Sequence, residues 1–228
     1  MFLDSLYHGT VPDVATGHLC VVGDVHNRLG QFLEKARAFL GENPEWRVIQ
    51  LWDFCWAPGD FDYFLRSMIQ QEELKRIQII KWNHDDGVPL RHKMSLQDFW
   101  ISNNEDIITI RWAETPSFAR IQWRSYYGEE LSDEQFQDII AIIRGRTKKP
   151  RVIITHDGPR SVVDAMWSGK IDKHSRTSLG LQRVLETVNT LVPHEQWTTW
   201  IFGHHHEHQE EINGINFKAI GELETLIV

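Results

Sequence analysis

The chain has 228 residues, 41% hydrophobic and 25% charged, with a formal net charge of −8. That composition is ordinary for a folded protein and excludes wholesale disorder, and a chain of this length buries roughly 70% of the surface its unfolded form exposes, so it needs no covalent staples. The acidic balance argues against broad affinity for a nucleic-acid backbone, leaving room only for a local basic groove, and no run approaches the ~18 apolar residues of a membrane span.

The N-terminal MFLDSLYHGT reaches Asp4 after two apolar residues, too early for a signal-peptide core. Cys20 and Cys55 make no disulfide framework, so a reducing, cytoplasmic location is expected. Residues 19–23 (LCVVG) read as the first strand, being β-branched-rich and too short for a helix. Leu29, Leu33, Ala36 and Leu40 then form a helical stripe that stops at Gly41, a C′ glycine. Residues 47–52 (RVIQLW) read as the second strand. Phe61, Phe64, Leu65 and Met68 mark a second helix, and residues 76–82 (RIQIIKW) a third strand. Between about Ile107 and Tyr127, IITIRW and FARIQWRSYYG read as neighbouring strands with no helix between them, the start of a second, antiparallel-rich sheet. Ser132 to Gln135 (SDEQ) is a capping box, and Phe136, Ile139, Ile140 and Ile143 carry its helix to Gly145. A strand at 151–155 (RVIIT), a helix with the stripe Leu181, Val184, Leu185 and Val188, and a strand at 197–203 (WTTWIFG) complete the pattern. This alternation predicts an α/β fold with a mainly parallel sheet covered by helices, in a single domain over residues 1–228.

The residues just beyond each parallel-strand candidate carry the chemistry. Asp24 and His26 come after the first, Asp53 after the second, Asn83, His84 and Asp85 after the third, His156 after the fourth, and His204, His205 and His206 after the last. Five strand ends thus deliver metal-competent side chains to one carboxyl edge, where open α/β folds place their ligand sites. Imidazole, carboxylate and amide oxygen suit divalent ions such as Mn, Fe or Zn. Asp24, His26, Asp53, Asn83, His156, His204 and His206 are too many for one tetrahedral ion, and two ions sharing a carboxylate would use them all. In extended backbone Asp24 and His26 point the same way at i and i+2, as do His204 and His206, leaving His205 pointing elsewhere.

The set GDVH (23–26), WD (52–53), NHD (83–85), His156 and GHHH (203–206) resembles the calcineurin-like metallophosphoesterase family, whose pattern is D-x-H, G-D, G-N-H-(D/E), H, G-H-x-H. The resemblance runs from about Leu19 to the last residues, with every ligand position filled in order. It implies an α/β/β/α sandwich of two packed mixed sheets flanked by helices. It further implies that Asp24, His26 and His206 hold one metal, Asn83, His156 and His204 a second, and that Asp53 bridges them. The ions expected are Mn, with Fe, Zn or Ni as alternatives. His84 would be the catalytic imidazole near the leaving group, oriented by Asp85 or a neighbouring carboxylate. The implied activity is hydrolysis of a phosphate ester through a metal-bridged hydroxide.

Three positions depart from the family pattern: Trp52 and Trp82 replace glycines before Asp53 and Asn83, and Asn27 stands where glycine is common. The protein Ser/Thr phosphatase branch carries an arginine soon after the bridging aspartate as a bidentate phosphate clamp. Here that segment reads DFCWAPGD, which tips the substrate toward a phosphodiester over a phosphomonoester. Asn27, Arg28 and Arg160 are candidate substrate contacts, with His174 a further one, against the ordinary alternative of solvated side chains. Trp52, Trp56 and Trp82 either pack the core or stack on a substrate ring. His8, His18, His92, His194 and His208 read as ordinary surface or core histidines, and Cys55 as a small packed side chain. A non-catalytic scaffold of the same fold is the competing class, disfavoured because no ligand is lost; a nuclease is disfavoured by the charge. The partner expected is a phosphate-ester substrate, with no membrane and no strong non-specific nucleic-acid binding. Nothing in the sequence sets an oligomeric state.

Overall fold

The computed structural model describes residues 19–26, 28–51, 76–79, 99–101, 107–110, 131–167, 175–193, 197–205 and 208–228. Within them the chain is α/β, with two mixed sheets and four helices. It divides into two compact units: Met1–Gln97 with Ser102–Asn104 and Ile220–Val228, and Asp98–Ile101 with Glu105–Ala219.

The first unit carries a four-stranded sheet of β1 (Leu19–Val22), β2 (Arg47–Gln50), β3 (Ile77–Ile79) and β10 (Thr225–Ile227), in the order β10-β1-β2-β3. The pairs β1–β2 and β2–β3 are parallel, and β10 runs antiparallel to β1. Helix α1 (Leu29–Glu42) connects β1 to β2. Its stripe of Phe32, Leu33, Ala36 and Leu40 packs with Cys20, Val22, Val48 and Ile77 into one apolar cluster. The helix runs past Gly41, its expected end, because other groups satisfy its last carbonyls. Asn43 donates its side-chain amide to Phe39 O at 2.8 Å, and the Arg76 guanidinium donates to Leu40 O at 3.0 Å. A glycine stop is dispensable where distant donors cap the helix.

The second unit carries a six-stranded sheet in the order β4-β5-β6-β7-β9-β8. Its strands are β4 (Phe99–Ile101), β5 (Ile107–Ile110), β6 (Val152–Thr155), β7 (Thr198–Phe202), β8 (His208–Ile212) and β9 (Ile215–Ala219). The three inner pairs β5–β6, β6–β7 and β7–β9 are parallel, and the outer pairs β4–β5 and β8–β9 are antiparallel. The expected antiparallel-rich sheet beginning at Ile107 is therefore corrected. Strand β5 has one antiparallel neighbour and one parallel one, because helix α2 (Asp133–Arg144) supplies a crossover to β6. The FARIQWRSYYG segment lies outside the described residues, as does the expected helix at 61–68. The single carboxyl edge is also corrected: strands 19–22, 47–50 and 77–79 share one sheet, whereas 152–155 and 198–202 belong to the other.

Helix α2 starts as its capping box requires. Ser132 Oγ accepts from Gln135 N at 3.2 Å, and Gln135 Oε1 accepts from Ser132 N at 2.7 Å. Its buried face of Phe136, Ile139, Ile140 and Ile143 packs with Leu181, Val184, Leu185 and Val188 of α4 (Arg176–Val188) and with Trp200, Phe202 and Phe217 of the sheet. The ring of Phe136 fills the space a side chain at Gly180 would need, so helices α2 and α4 approach closely there. A hairpin unannounced by the strand periodicity joins β8 to β9 through Asn213 and Gly214, whose φ angles of 52° and 73° are those of a two-residue type I′ turn. Among the described residues, no helix is long and apolar enough to cross a membrane.

Candidate metal centre

In the first unit, β1 is buried at every residue and is followed by Gly23. Gly23 N donates to Glu224 O at 3.0 Å, and Leu223 N donates to Asp24 O at 2.9 Å, so the 221–224 turn lies directly against the loop. A Cβ on Gly23 would overlap the Gly221 carbonyl oxygen, which is why only glycine serves at this point. Asp24 is only 1% exposed. His26 adopts φ 44°, in the left-handed region, and its Nε2 lies 3.9 Å from Asp24 Oδ2. The two side chains therefore converge through a turn at His26, not through the alternation of an extended strand.

Glu222 enters the same cluster. One carboxylate oxygen stands 3.5 Å from His26 Nε2 and the other meets the Arg28 guanidinium. Arg28, a candidate substrate contact, is thus engaged by an acid of its own chain. Burial, and secondarily the Arg28 charge, push the His26 imidazole below its ordinary pKa, which favours the neutral, ligating form.

In the second unit, β6 and β7 are adjacent and parallel, with Thr155 opposite Phe202. That register brings the residues after each strand together: Gly203 N donates to His156 O at 3.0 Å. His156 is fully buried, and its ring centroid lies 5.0 Å from that of His204 in an edge-on arrangement. His204 also has a left-handed φ, of 59°, so the strand pattern has ended before it. His205 turns toward Asp157, with Nε2 2.7 Å from Oδ1, and accepts on Nδ1 from the Trp167 indole at 3.1 Å. Arg160 opens α3 (Arg160–Met166), is half exposed, and pairs with Asp164 one turn on at 3.4 Å.

Of the predicted site residues, the structure therefore brings Asp24 and His26 together in one unit and His156 and His204 together in the other. Asn27, Asp53, Asn83, His84, Asp85 and His206 lie outside the described residues, as do His174 and the tryptophans at 52, 56 and 82. Among the described residues, no group of three or more His, Cys, Asp or Glu side chains is arranged to hold a metal ion. The donor chemistry nonetheless fits a divalent cation: a buried carboxylate beside an imidazole biased to neutrality, and two edge-on imidazoles. Sequence patterning missed Glu222, Asp157 and Trp167, and set His205 aside as pointing elsewhere. The only cue to Asp157 was its adjacency to His156, and Glu222 carried no cue. Comparison with protein-family models and with curated proteins finds no match to this chain.

Proposed function

We propose that this chain is a dinuclear metal-dependent phosphoesterase of the calcineurin-like kind, with a phosphodiester favoured over a phosphomonoester. The observation that carries the reading is the pairing at the strand ends. Motif order demands that Asp24 join His26 and that His156 join His204, and each pair is adjacent within its own unit. In this reading the two mixed sheets pack as an α/β/β/α sandwich in a cytoplasmic protein. Asp24, His26 and His206 would hold one ion, Asn83, His156 and His204 a second, with Asp53 shared between them, and Mn is the expected metal.

Two such ions, when bound, supply a water deprotonated near neutral pH and neutralise charge on the phosphate. The chain's own residues do the rest. The buried Asp24 carboxylate and the neutral His26 offer lone pairs at fixed positions. His84 protonates the departing alkoxide, with Asp85 orienting its ring. Arg28 supplies a guanidinium for a phosphate oxygen once Glu222 releases it, and Arg160 a second positive charge.

Two measurements test the reading. About two divalent ions per chain are expected after reconstitution with Mn²⁺, with activity lost on chelation; a fully active preparation without a divalent metal would overturn it. The substrate class is tested by kcat/KM for bis-aryl and mono-aryl phosphates sharing one leaving group. A preference of more than about tenfold for the monoester, roughly 1.4 kcal/mol at the transition state, would return the phosphatase reading to first place.

A further inference from the structure

We propose that Asp157 and His205 are positioning residues that set His204 beside His156, with the Trp167 indole selecting the His205 tautomer. The inference rests on the metallophosphoesterase reading for its consequence, and on hydrogen-bond geometry for its construction. An indole N–H can only donate, so Nδ1 of His205, 3.1 Å from Trp167 Nε1, is the acceptor. The ring proton of neutral His205 then sits on Nε2, where it donates to Asp157 Oδ1 at 2.7 Å. The two contacts specify one tautomer and one ring orientation.

Asp157 is itself held from several directions. Its Oδ1 also accepts from Gly158 N at 2.7 Å, and its Oδ2 accepts from Ser175 Oγ, the N-cap of α4, at 3.4 Å. Its backbone oxygen accepts from Thr155 Oγ1 at 2.7 Å, and that hydroxyl accepts from the buried Trp200 indole at 2.8 Å. Asp157 is therefore a fixed post, its backbone held to Thr155 of β6 and its carboxylate to Gly158 and the start of α4. His205, tied to that post, fixes the backbone next to His204, a non-glycine residue in the left-handed region that persists only where its surroundings over-determine it. The His204 ring lies 4.8 Å from that of His205 and 5.0 Å from that of His156. Asp157 and His205 thus act on His204 through the chain, without ligating.

The test uses the full-length chain labelled with ¹⁵N, and Co²⁺ alone as the metal probe, read by its visible absorption. At pH 8 without metal, His205 is expected to show a protonated Nε2 and an unprotonated Nδ1; the reverse pattern overturns the array. Replacing Trp167 with Phe, at a half-exposed site, is expected to mix the two tautomers; an unmixed pattern removes Trp167 from the proposal. His205→Ala is expected to weaken Co²⁺ binding about 10–100-fold, as loss of support behind metal ligands usually does. His205→Gln, whose terminal amide still donates to Asp157, is expected to restore most of that affinity. Should the alanine variant fail to fold, a weaker Co²⁺ affinity in Trp167→Phe carries the same test. Undiminished affinity in every variant overturns the positioning role alone. A wild-type chain that binds no Co²⁺ overturns the metal reading and the role with it, while the tautomer pattern stands.

Discussion

The carbonyl oxygen of Gly221 occupies the space that a side chain on Gly23 would need, so the turn after β9 and the loop after β1 touch backbone to backbone. The contact places Glu222 against His26 and Arg28, 194 residues from Arg28 in sequence. Gly23→Ala must displace main chain, not the flexible end of a side chain. It is expected to destabilise the protein by about 1–3 kcal/mol, the usual cost of overpacking. Urea denaturation reads this as a lower midpoint at unchanged slope; an unchanged midpoint would show that the 221–224 turn yields freely.

Gly180→Ala sets two effects of opposite sign against each other. Alanine is favoured over glycine inside a helix by about 1 kcal/mol. At this position, however, the new methyl overlaps the ring of Phe136, which is fully buried and has nowhere to turn. Overpacking of about 1–3 kcal/mol wins, and the variant is expected to melt lower than wild type. Thermal melts in a Phe136→Leu background decide the cause, since there the alanine is expected to cost less.

Cys20 gives the stability a specific pH dependence. Burial pushes its thiol up to about 11 from an ordinary 9.0, because the thiolate is disfavoured inside the apolar cluster. The folded state therefore keeps its proton at pH values where the unfolded state has lost it. The contribution is fully present below about 9 and is lost as pH rises toward 11, on the order of 3 kcal/mol in total. Denaturant titrations between pH 8 and 11 are expected to show this fall in wild type and a shallower one in Cys20→Ala. Parallel slopes would show that other groups dominate the alkaline limb.

Under the proposed function, variants of His84 and Asp53 separate chemistry from metal binding. His84→Ala is expected to leave metal content near wild type while lowering turnover roughly 10²–10⁴-fold, the scale of a lost general acid. Asp53→Asn, at the position proposed to be shared by the two ions, is expected to disturb both metals. Elemental analysis beside single-turnover kinetics distinguishes them, and equal metal loss in the two variants would make His84 a ligand.

Much of the local structure was legible because its causes are local. The stripe Leu33, Ala36 and Leu40 is buried, the Ser132–Gln135 capping box forms in full, and Leu181, Val184, Leu185 and Val188 all face the core. Side-chain period and reciprocal capping act over three or four residues, so the chain states them directly. The Asn213-Gly214 turn was equally local, and strand periodicity alone overlooked it.

The sequence by itself determined β1, α1, β2, β3, α2, β6, α4 and β7 in order, and the residues beyond those strands: Asp24 and His26 after one, His156 after another, His204 after a third. Only the tertiary structure decided which strands share a sheet, dividing the five strands that precede the candidate ligands between two, because pairing depends on partners distant in sequence. It also decided that Asp24 and His26 converge through a left-handed turn, that Glu222 closes on Arg28, and that His205 binds Asp157 and Trp167. Those last contacts span from 38 to 194 residues. No short-range pattern encodes them, since each exists only after a sheet has brought its two loops together.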